Sequence, residues 1–145
     1  MEASLQTLSP SMSERQWAAG AHLLALTLAV ITAWLVGVAG VVGAGVVYFL
    51  KRDDSPFAAA HAREAINFNL SMLLYSAAAA VIAFLLVGAT VLTLGLGLIL
   101  TAPAGVVLVL GIGAIALLWL VCSVIAAFKA WNGEHYRYPL TIRLF

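Results

Sequence analysis

The sequence predicts an all-α fold: an integral membrane bundle of four transmembrane helices, both termini cytoplasmic, ending in a short extended interfacial segment. Three observations carry this. Of 145 residues, 64% are hydrophobic and 9% charged, against about 25% charged in an average soluble domain. That leaves too little polar surface to cover a globule, so lipid is the solvent for most of the chain. The 7 Lys and Arg and 6 Asp and Glu fall into clusters: Glu2, Glu14 with Arg15, Lys51 to Glu64, and Lys129 to Arg143. Between the clusters lie two charge-free runs, Gln16 to Leu50 (35 residues) and Ala65 to Phe128 (64 residues).

The elements follow in chain order. Residues 1–13 hold one charge, Glu2, no basic residue, and Ser4, Ser9, Pro10, Ser11 and Ser13. They read as a disordered tail, not a secretory signal, which opens with positive charge. The first charge-free run would measure about 52 Å as one helix, far more than a hydrocarbon core of about 30 Å. Two short spans, 16–35 and 38–50, fit better. Trp17 and Trp34 then lie about 25 Å apart, as two interfacial belts. Gly37, Gly40, Gly43 and Gly45 allow a tight turn and close helix approach. The second run holds two spans, 65–93 and 105–131, with Thr101, Ala102, Pro103 and Gly105 marking a turn near Leu94 to Ala104. Ser55 followed by Pro56 is a helix start, so the third helix begins before its span. Asn132-Gly133 stops the last helix. The transmembrane domain is therefore 14–132 and the interfacial segment 133–145.

With four spans, the termini and the Lys51 to Glu64 loop share one side, and that side carries all 7 Lys and Arg. The positive-inside rule makes it cytoplasmic. A net charge of +1 offers no patch for nucleic acid. Lone Cys122 excludes an internal disulfide and a Cys-based zinc site. Gly95-Leu-Gly97 lacks the lysine of a phosphate loop. No cofactor, metal centre, catalytic residue or enzymatic activity is expected.

Polar groups inside so apolar a chain are costly, and their positions are informative. His61, Glu64, Asn67, Ser71 and Tyr75 recur at spacings of three and four, a stripe on one helix face. Asn69 points elsewhere. The stripe should face the bundle or a hydrated cleft, and His22, at a matching depth in the first span, should meet Glu64 or Asn67. Its readings are interhelical hydrogen bonding, a groove for a partner helix, peptide or lipid, or an ion or proton path through His22, His61 and Glu64. A metal site at His61 and Glu64 would need His22 or His135 as third ligand. In the C-terminal segment Tyr136, Tyr138, Leu140, Ile142 and Leu144 alternate with Arg137, Pro139, Thr141 and Arg143. Period two implies an extended strip with one apolar face. Its tyrosines and arginines suit the headgroup zone, as an anchor or as a lid near Glu64.

Four strings carry a family resemblance: Trp17-Ala-Ala-Gly-Ala-His22-Leu23, Lys51-Arg-Asp-Asp-Ser-Pro-Phe57, His61-Ala-Arg-Glu-Ala-Ile-Asn-Phe68 and Asn132-Gly-Glu-His-Tyr-Arg-Tyr-Pro-Leu-Thr-Ile-Arg143. From about Glu14 to Phe145 the chain resembles a family of small bacterial four-span membrane proteins of unknown function. That family is distantly similar to the chloroplast import component Tic-twenty. The resemblance implies a multi-pass protein of the bacterial cytoplasmic (inner) membrane without known enzymatic activity, and a translocation or assembly accessory as one form of its role. The expected function is non-enzymatic binding of a protein, peptide or lipid partner at the cytoplasmic side, with membrane lipid as constant neighbour and self-association open to the glycine-rich faces. The alternative is a small transporter or channel subunit using the stripe.

Overall fold

The computed structural model describes residues 9–32 and 37–145. Among these the chain is all-α, with four helices and no strand: α1 Met12–Ile31, α2 Val38–Lys51, α3 Pro56–Leu92 and α4 Leu98–Trp131. The first charge-free run is thus two helices and not one rod. Trp34, Leu35 and Val36 lie outside the described residues, as do 1–8, so the second tryptophan belt and most of the expected N-terminal tail do too.

The starts of α1 and α3 have local causes. Ser11 and Glu14 form a capping box: Ser11 Oγ accepts from the Glu14 amide (3.3 Å) and Glu14 accepts from the Ser11 amide (2.8 Å). Two orphan donors are satisfied reciprocally, so α1 begins at Met12, inside the segment expected to be disordered. The Ser55 hydroxyl caps α3 by accepting from the Ala58 amide (3.2 Å), with Pro56 in the first turn. It also donates to Glu14 Oε1 (2.9 Å), tying the starts of α1 and α3 together. Hydrogen bonding to the carboxylate, first from the Ser11 amide and then from the Ser11 and Ser55 side chains, holds Glu14 below its ordinary value of 4.5.

The second turn corrects an expectation. It falls at Thr93–Gly97, before Thr101, Pro103 and Gly105, and α4 starts at Leu98 instead of 105. Gly95 (φ 87°) and Leu94 (φ 52°) adopt the left-handed conformation that reverses the chain, and Thr93 Oγ1 accepts from the Gly97 amide (2.8 Å). Pro103 is then only the sixth residue of α4, where it removes a single helical hydrogen bond.

The helices form two tiers. In the first, all four pack through alanines: Ala18, Ala21, Ala44, Ala58, Ala62, Ala65, Ala126 and Ala130 are fully buried. Small side chains let backbones approach closely, the usual basis of helix association in lipid. This tier ends early. Gly37, at the α1–α2 turn, sits against the Asn69 carbonyl and Leu73 of α3. Past Leu73, α3 runs nineteen more residues to Leu92, about 28 Å, with α4 as its companion helix among the described residues. This second tier is an apolar hairpin with its large side chains exposed, Phe84 at 76% and Leu96 at 80%. Its tip is closed by a Thr90–Thr101 hydroxyl pair (2.6 Å). Among the described residues the helices long and apolar enough to cross a membrane are α3 and α4; α1 has 20 residues but a polar start with Glu14, Arg15 and Gln16, and α2 has only 14 residues.

Candidate functional site

The site grows from the C-terminal segment. After α4, Gly133 takes a positive φ (80°) and the chain turns back toward the bundle in extended conformation. The Tyr138 ring enters between helices and stacks on Phe68 at 3.9 Å, 11° from parallel. Phe68, Met72, Cys122, Ala126 and Tyr138 form one buried cluster, with Tyr136 and Trp119 packed against it. At Pro139–Leu140 the chain reverses, Leu140 adopting φ 55°, and the last residues run outward along α3. The expected single strip is therefore a re-entrant hairpin. Tyr136 and Tyr138 pack inward while Leu140, Ile142 and Leu144 remain exposed. The reversal breaks the period of two.

The α3 stripe holds the outward limb. Tyr75 OH donates to the Leu140 carbonyl (2.7 Å). Ser71 Oγ accepts from the Ile142 amide (2.9 Å). Asn67 Oδ1 accepts from the Leu144 and Phe145 amides (3.0 and 2.8 Å), and its Nδ2 donates to the Phe145 carbonyl (2.9 Å). Glu64 Oε1 pairs with Arg143 Nη2 at 3.0 Å. Helix and limb run antiparallel, the deepest stripe residue on the deepest part of the hairpin. Non-helical chain packed against an apolar bundle needs this: its amides and carbonyls have no neighbouring turn and must be satisfied by other protein groups.

His61 takes a different partner. Its Nδ1 lies 2.9 Å from His22 Nε2, and His22 Nδ1 lies 2.9 Å from Tyr138 OH. His22 and His61 are 1% and 2% exposed. The hydrogen-bond chain ends at His61 Nε2, buried and without a hydrogen-bond partner among the described residues. Phe57 and His135 flank that ring, with centroids at 4.6 and 5.8 Å. His22 thus meets His61 and Tyr138, not Glu64 or Asn67 as expected. The reason is register: the Glu14–Ser55 bond sets α1 against α3 so that His22 faces His61, one turn before Glu64.

Asn69 does point elsewhere, between α2 and α4. Its Oδ1 accepts from Trp119 Nε1 (3.3 Å), its Nδ2 donates to the Ala65 carbonyl (2.9 Å), and the side chain fills the space left by Gly40. Sequence reasoning missed this contact, although a glycine in α2 level with a buried asparagine is a visible signal. Arg137 is exposed, while Tyr136 lies half-buried over Cys122. Among the described residues no three His, Cys, Asp or Glu side chains converge as metal ligands.

A model of the magnetosome magnetite crystal formation protein family, MamF/MmsF, matches residues 13–145. The chain belongs to that family. The match takes in α1 through the re-entrant segment, so the docked tail lies within the family's shared region. Family membership makes it one of a group of small bacterial membrane proteins. No curated protein and no solved structure matches the chain, and the likeness to the chloroplast import component stays an expectation.

Proposed function

We propose that this member of the magnetosome family works without enzymatic chemistry, by binding a partner at the cytoplasmic face of a bacterial membrane. In this reading α3 and α4 cross the bilayer, α1 and α2 insert from the cytoplasmic side, and both termini remain there. The partner surface is the face latched by the C-terminal segment. One observation carries the reading: Glu64, Asn67, Ser71 and Tyr75 are all spent on holding that segment. The stripe is therefore part of a built surface, with Arg137 and the outer side of the tail presented to the cytoplasm. The same observation weighs against an ion path, because these side chains line chain instead of water.

In-cell crosslinking tests this. Photoreactive residues at Ala60 and Tyr136, on the latched face, should capture a discrete partner, whereas one at Leu117, on the apolar hairpin, should not. Equal capture from all three positions, or none from the first two, would remove the basis for the proposal. Liposome flux that tracks Glu64 protonation would establish transport in its place.

A further inference from the structure

A second feature of the latched face lies outside the hydrogen-bond ladder. Between α3 and the two limbs of the hairpin is a cleft of about 330 Å³ with Asn67 in its floor and Arg63, Arg137, Arg143 and His135 around it. This is near the lower size of ligand-binding clefts. Glu64 also lines it, paired with Arg143. Among the described residues Arg63 and Arg137 have no carboxylate partner. Counting Glu64 against three guanidiniums leaves the cleft positive. Glu64 is the last ionised residue before the charge-free run, so the cleft sits where headgroups would lie.

The cleft does not end in water. Phe145 lines it and also lines a separate apolar groove with Val41, Val46, Phe49 and Ile66. Tyr48, also in that groove, stacks edge-on against Phe145 (5.2 Å) and lies under the Arg63 guanidinium (5.7 Å). A cationic cleft thus opens onto an apolar channel that descends along α2 toward the bilayer interior. That pairing fits one chemical class, an amphiphile with an anionic head and a hydrocarbon tail.

We propose that this is a site for an anionic phospholipid, its phosphate between Arg63 and Arg137 and one acyl chain in the α2–α3 groove. Arginine forks bind phosphate bidentately, and basic pockets between helices on the cytoplasmic side recognise such headgroups. The inference rests on the cytoplasmic orientation proposed above but needs no protein partner. Surface labelling of Thr141→Cys reports that orientation separately from lipid retention.

The test is native mass spectrometry of the full chain released from bilayer discs of equal phosphatidylglycerol and phosphatidylcholine. Wild-type protein should retain phosphatidylglycerol preferentially. R63Q/R137Q should lower that preference roughly fivefold for each arginine removed, while K51Q/R52Q, on the same side but outside the cleft, should keep it. V46W, which fills the groove, should reduce retention of both lipids. Equal retention of the two lipids by wild type, or an unchanged preference in R63Q/R137Q, overturns the proposal. Displacement of retained lipid by inorganic phosphate alone identifies a soluble-anion site and overturns it equally.

Discussion

Replacing Asn67 by leucine isolates the latch from the bundle. Asn67 is 2% exposed and makes three hydrogen bonds to the end of the chain, two accepted and one donated. Leucine is similar in volume and keeps the helix, but offers none of them. At about 1 kcal/mol net for each bond, the docked state of residues 143–145 loses about 3 kcal/mol, roughly a hundredfold in its equilibrium. The helices should lose little, because an apolar side chain in an apolar tier costs no desolvation. Amide hydrogen exchange of the protein in micelles resolves the two effects. In N67L the Leu144 and Phe145 amides should lose about two decades of protection, while amides around Ala62 and Ala126 stay as in wild type. S71A should free the Ile142 amide and spare Leu144. Unchanged Leu144 protection in N67L would mean that the side chain does not hold the tail. Uniform loss across the helices would mean that the tail is no separate unit.

Other predictions follow from other layers of the structure. An added Cβ at Gly40 would overlap Asn69 Oδ1, whereas Gly45 has open space around it; G40A should therefore lose about 1–3 kcal/mol in thermal unfolding, and G45A should be neutral or slightly stabilising. Glu14 has a folded-state pKa below its ordinary 4.5, so its stabilisation of the α1 start is present above that value and is lost as pH falls through the folded one. Trp17 fluorescence should register this loosening on acidification, and E14Q should abolish its pH dependence. Cysteine at Leu96, on the exposed tip of the hairpin, should react with a charged reagent from outside the cell, whereas cysteine at Val38, at the level of Leu73, should be shielded by lipid. Outside labelling of both positions would contradict the half-depth placement of α1 and α2.

How far the sequence foretold this fold depends on which residue types carry backbone information. Charge-free runs and the Ser55-Pro56 start made the helices legible, because solvent and capping act through side chains visible in one dimension. The polar stripe was legible for the same reason. Its partner was not. The tail reverses at Leu140 and the hairpin turns at Leu94, both with positive φ. Leucine itself signals no turn, and although Gly95 and Pro139 stand beside these two, Thr101, Pro103 and Gly105 draw the expected turn to where the helix simply continues. The His22–His61 contact was missed by one helical turn, since helix register depends on Glu14 meeting Ser55 across 41 residues.

The stripe's extent ties these pieces together. Polar side chains line α3 from His61 to Ser76, and from Ala77 to Ala89 there is none. The change falls where α1 and α2 give out, near Leu73, and where the hairpin reaches its deepest hydrogen bond, Tyr75 to Leu140. A helix packed only on another helix has no use for buried polar groups in lipid, because its backbone is already satisfied. A helix beside an extended segment must supply donors and acceptors for it. The α3 side chains that hold the tail therefore occupy just the length over which non-helical chain has to be held, and the hairpin beyond is apolar up to the threonines at its tip.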